Sequence, residues 1–130
     1  MLSKSFRIAL VLVVICALPV FAQRRDRDRD HDRNREHIRS DASRLAAVLH
    51  DLQYERVRFS ENVWRTSANE AMVLANRLYE ETGGRAEARD ARLQVRRMRA
   101  AVNHGDFAAA RNDAQQAATY VHAVSDWAYR

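Results

Sequence analysis

The residues of this chain best suited to chemistry, by type and spacing, are arginines. Arg85, Arg89, Arg92, Arg96 and Arg99 recur at steps of four, three, four and three, with Arg97 alongside. On a helix that spacing sets five guanidinium groups in one line, one residue round from an apolar stripe. A guanidinium is a planar fork of N–H donors that matches carboxylate and phosphate geometry. The row therefore suits an acidic partner: a lipid headgroup, an envelope polymer or the acidic face of a protein. Like charges four apart cost a helix roughly 0.2–0.5 kcal/mol each, so some stability is given up to present them. The structural alternative is that Glu55, Glu61, Glu70, Glu80 and Glu81 of neighbouring helices neutralise the row while the arginine stems cover core edge.

Other chemistry-bearing types fall short of a site. Asp26, Asp28, Asp30 and Asp32 alternate as acids do at the start of an EF-hand loop. His31 then stands where that loop needs glycine, and His37 where it needs a bidentate glutamate, so calcium is not expected. Of the remaining histidines, no two of His50, His104 and His122 share the spacing of a helical ligand pair. No Cys-x-x-Cys-His is present for covalent haem. There is no Gly-x-Ser-x-Gly, no phosphate-binding loop and no His-Glu-x-x-His, and the acids lie at salt-bridge spacing. The expectation is a non-enzymatic protein with no cofactor and no metal.

Three local resemblances deserve a reading. The stretch RRDRDRDHDRNREH, residues 24–37, resembles the Arg-Asp tracts of RNA-processing proteins. Its near-balanced charge lacks the cationic field that phosphate binding needs, and nucleic acid is not an expected partner. Val102-Asn103-His104-Gly105-Asp106-Phe107, followed by Ala110 and Ala117, resembles the inter-helix turn of a tetratricopeptide repeat. Only one such unit is present, and repeat arrays need about three to bury a continuous core. The C-terminal stretch resembles the last helix of small haem-binding four-helix cytochromes. That family's axial histidine has no counterpart here, and no methionine on the first helix would oppose it.

The elements that must carry the arginine row follow from composition and periodicity. Lys4 and Arg7 charge a short leader, Ile8 to Leu18 is unbroken apolar sequence, and Pro19-Val20-Phe21-Ala22 ends on small residues. Residues 1–22 therefore read as a secretory signal cleaved after Ala22, with an uncleaved anchor or lipidation at Cys16 as alternatives. Cleavage removes the only cysteine, leaving a chain without disulfides or thiolates, which suits a bacterial periplasm or a secreted protein. It also removes the only lysine, so every later basic residue is arginine. Residues 23–37 have no large apolar side chain to bury and read as a solvated tail that frays into the first helix.

From Ile38 the apolar residues keep helical spacing. The first stripe is Ile38, Ala42, Leu45, Leu49, Leu52 and Phe59. The second is Trp64, Ala68, Ala71, Ala75 and Leu78, with Met72 and Tyr79 beside it, starting near Asn62 or at Ser67 and ended by Gly83-Gly84. The third is Ala88, Ala91, Val95, Met98 and Val102. The fourth, capped by Asp106, is Phe107, Ala110, Ala114, Ala117, Val121, Val124 and Ala128. Four such helices on short turns predict an all-α, antiparallel up-down four-helix bundle over residues 38–130.

The functional expectation is an exported binding module, periplasmic or secreted, with Arg85, Arg89, Arg92, Arg96 and Arg99 as its contact surface. An acidic protein or an envelope polyanion is the expected partner. The membrane is touched only through an uncleaved signal or a lipid. A carrier of a small ligand, haem or metal inside the bundle is the alternative, and self-association through Tyr54, Trp64 or Trp127 a third.

Overall fold

A computed structural model describes residues 29–54 and 60–130. These residues are all helical apart from their turns, in four helices and without strands: α1 over 29–54, α2 over Glu61–Glu81, α3 over Ala86–Asn103 and α4 over Phe107–Tyr129. The chain divides into two compact units, Met1–Asn34 and Arg35–Arg130, and the core belongs to the second. Ala22, Cys16, Glu55, Phe59 and residues 23–28 lie outside the described residues.

The Arg-Asp segment is helical from residue 29, nine residues before the first buried side chain, Ile38. Arg29/Asp32, Asp30/Arg33 and Asp32/Arg35 place opposite charges three apart on that stretch. Once Ile38 and Ala42 anchor the helix, each residue added at its end gains a hydrogen bond without a new nucleation cost. Residues 29–37 are nonetheless exposed, Arg35 alone being half-buried.

Each boundary has a local cause. Ser60 caps α2 by accepting a hydrogen bond from the Val63 amide at 3.4 Å, so the helix begins at Glu61, ahead of the Ser67 box. At its other end the Gly83 amide donates to the Glu80 carbonyl and the Gly84 amide to the Tyr79 carbonyl. Both glycines have positive φ, 67° and 79°, where a Cβ is unfavourable. Asp106 Oδ1 accepts from the Ala109 amide at 3.1 Å and starts α4 immediately after Gly105.

The core is one cluster formed by the four apolar stripes. Ile38, Ala42, Leu45, Leu49 and Leu52 of α1 are all buried. So are Ala88, Ala91, Val95, Met98 and Val102 of α3, and every expected α4 position except Phe107, which is half-buried against the cluster. Leu74 joins α2's buried residues in addition to the expected stripe. α3 packs on both α2 and α4. Ala88 and Ala91 of α3 and Ala110, Ala114, Ala117 and Ala128 of α4 are all in the core. Trp64, 3% exposed, closes one end against Phe107 with ring centroids 5.2 Å apart. Arg39 ties α1 to the end of α4: its Nε and Nη2 donate to the Ala128 carbonyl at 3.0 and 2.9 Å, beneath the Tyr129 ring. That satisfies a carbonyl in the last turn with a cation, the sign the helix dipole favours there.

Candidate functional site

The arginine row lies on one flank of α3, beside its buried stripe. Arg85 is the residue just before the helix and makes no side-chain cap. Its guanidinium instead lies over the Trp127 ring of α4, 4.4 Å from the centroid, with Nε 3.0 Å from Glu87 Oε2. Arg92 lies over the Tyr79 ring of α2 at 3.6 Å. Gly84 makes room for that ring, since a Cβ there would sit 3.3 Å from the Tyr79 hydroxyl. Both arginines are thus held by a face, which leaves guanidinium edges for other partners.

Arg89 and Arg96 are exposed, and Arg99 is half-buried. Arg89 reaches Asp90 of its own helix, at 3.6 Å. Between them Leu93, 44% exposed, lines a cleft of about 200 Å³ together with Arg89, Asp90, Arg92 and Arg96. A second cleft, of about 250 Å³, is lined by Arg85, Glu87, Ala123, Asp126, Trp127 and Arg130. Arg89, Arg92, Arg96 and Arg99 therefore lie at helical spacing along α3 with Arg85 just before it, and Arg85 and Arg92 are pre-positioned by rings that periodicity alone does not assign to them.

Three of the acids expected to neutralise the row, Glu61, Glu70 and Glu81, face other groups. Glu61 pairs with Arg65 at 2.7 Å and Glu70 with Arg44 at 3.6 Å. Glu81 faces Asp41 and Arg77. Among the described residues, the carboxylates in ion-pair contact with the row are Glu87 and Asp90, both on α3. Arginines at the start of α3 also oppose its dipole, whose positive end attracts anions; Glu87 in the first turn offsets part of this.

A second charged cluster sits between α1 and α2, and the periodicity of either helix alone does not reveal it. Asp41 is 7% exposed, and its Oδ1 lies 3.6 Å from Arg77 Nη1. Glu81, in the last turn of α2, has its carboxyl pushed up from 4.5 to about 7. Burial is the main cause, followed by a hydrogen bond to Asp41 and repulsion from its charge, with Arg77 pulling the other way. Two carboxylates share one cation here, so near neutral pH the pair retains a proton. The sequence signal was Asp41 beside Ala42 on the flank of the first stripe, an acid where core edge was due.

The remaining candidates are surface residues. His50, His104 and His122 are exposed, His50 resting on Tyr54 with ring centroids 4.6 Å apart. Among the described residues, no three His, Cys, Asp or Glu side chains are grouped so as to hold a metal ion, and no helix is long and apolar enough to cross a membrane. Trp64 is in the core and Trp127 lies half-buried under Arg85, so of the three aromatics considered for self-association Tyr54 is the exposed one. Compared with protein families, curated proteins and solved structures, the chain matches none.

Proposed function

We propose that this chain is an exported, non-enzymatic binding module that holds an acidic partner on the arginine row of α3. In this reading residues 1–22 direct export to the periplasm or the exterior and are cleaved after Ala22. The helices run up-down, antiparallel, as a bundle whose interior is structural. Arg85, Arg89, Arg92, Arg96 and Arg99 form the contact surface.

The observation that carries the reading is the local shortage of counter-charge. Among the described residues, Glu61, Glu70 and Asp41 pair with arginines of α1 and α2, and the ion pairs of the α3 row are with Glu87 and Asp90. Arg92 and Arg85 are fixed by rings, which lowers the ordering cost of binding.

Titration of the protein with polyglutamate at rising salt tests it. Binding should weaken steeply as salt screens the row. The double reversal Arg92→Glu/Arg96→Glu should reduce affinity at least a hundredfold while helicity and melting stay near wild type. Unchanged affinity in a folded double variant would remove the row as the binding surface.

A further inference from the structure

The relief of the α3 flank narrows the class of acidic partner. From Arg89 to Arg99 the row covers roughly 15 Å of helix at 1.5 Å per residue, one guanidinium per turn. The cleft over Leu93, at about 200 Å³, is smaller than the roughly 300–1,000 Å³ of small-molecule sites. It is the size of a notch for one protruding side chain. Its one apolar lining residue is Leu93, 44% exposed, and the others are Arg89, Arg92, Arg96 and one acid, Asp90, which already lies 3.6 Å from Arg89. The other notch, beside Arg85 and Trp127, begins eight residues earlier, about two turns along the helix.

A flexible hydrophilic polyanion would use the charge but has nothing apolar to place on Leu93. An amphipathic helix uses both. Carboxylates at alternating steps of three and four residues repeat once per turn, the same period as the arginines, and an apolar side chain within that row meets the leucine. Arginine is also enriched at protein interfaces, where bidentate pairing to carboxylate fixes register.

We infer that the α3 flank is a docking seam for an acidic amphipathic helix of another protein, with an apolar side chain seated over Leu93 between Arg89 and Arg96. This rests on the reading of the row as a binding surface. No described helix of this chain carries three acids at that spacing, so a second copy does not supply the partner face.

The test uses the full exported chain and three probes: a helical peptide with glutamates at alternating three- and four-residue steps around one central leucine, the same composition scrambled, and inorganic polyphosphate. The patterned peptide should bind at least tenfold tighter than the scrambled one. Leu93→Ser should erase that preference and leave polyphosphate binding unchanged, since Leu93 is half-exposed and outside the core. Equal affinity for the two peptides, or a preference indifferent to Leu93→Ser, would overturn the helix seam while leaving the arginine row as a general polyanion surface. If no probe binds at low salt, or binding is indifferent to Arg92→Glu/Arg96→Glu, the row itself is not a binding surface and both readings fall.

Discussion

Charge is balanced across the boundary between α1 and α2 and left over on α3. Arg44 reaches Glu70 and Arg77 reaches Asp41, each pair joining the two helices. In and just before α3, the described residues in ion-pair contact with Arg85 and Arg89 are Glu87 and Asp90 of the same helix, and Arg85 and Arg92 each meet a ring. Cross-helix pairs constrain how two elements meet, so their charges belong to the fold. A row that neighbours leave unpaired contributes little to the fold and is free to meet something else. The two regions should thus respond oppositely to loss of a guanidinium.

The sharpest contrast is between Arg77→Ala and Arg96→Ala. Removing Arg77 takes from Asp41, almost fully buried, the guanidinium 3.6 Å away, and from Glu81 the charge that pulls its carboxyl down. Because the Arg77 side chain is half-exposed, solvent screens part of the loss, and the expected cost is about 1–2 kcal/mol at pH 8. Arg96→Ala should change stability by less than about 0.5 kcal/mol, as surface substitutions do. Urea melts of both variants at pH 8 decide the matter. Equal losses would mean that the row is as structural as the α1–α2 cluster.

A second contrast is in pH. Glu81 titrates near 4.5 when unfolded and about 7 when folded, so the folded chain binds the extra proton between those values. Stability contributed by that proton is fully present below about 4.5 and is lost as pH rises through about 7. With partial exposure discounted, the loss should be on the order of 1–2 kcal/mol. Glu81→Gln should flatten this part of the profile and melt higher than wild type at pH 8. A wild-type profile that rises from pH 5 to pH 8 relative to Glu81→Gln would refute the shared proton.

Which of these features the sequence discloses depends on how far apart their parts lie. The stripes of α1, α3 and α4 are legible because helical period and burial are local properties: Ile38 to Leu52, Ala88 to Val102 and Ala110 to Ala128 all go to the core. The arginine row is legible for the same reason. What holds the row is not, because Tyr79 and Trp127 come from other helices and meet Arg92 and Arg85 only through packing. The Asp41–Glu81 pair is hidden likewise; nothing near Glu81 in sequence marks it as different from Glu80. Ser60 could have been found from its own neighbourhood, since a serine ahead of Glu61 is an N-cap signal as good as Ser67.

The smallest expected effect separates stability from binding on the row itself. Arg89 lies in the first turns of α3, four residues after Arg85 and three before Arg92. As a cation there it opposes the dipole and both neighbouring charges. Arg89→Glu turns those terms favourable: an acid near the helix N-terminus, with arginines at the spacings that attract. Asp90, its present contact, loses a partner at 3.6 Å that is worth little at a side-chain exposure of 63%. The variant should be more stable by about 0.5 kcal/mol in urea melts at low salt and should bind polyglutamate several-fold more weakly. A residue whose reversal stabilises the chain while weakening binding is kept against the fold's own interest. Destabilisation together with unaltered binding would instead place Arg89 with the structural charges of α1 and α2.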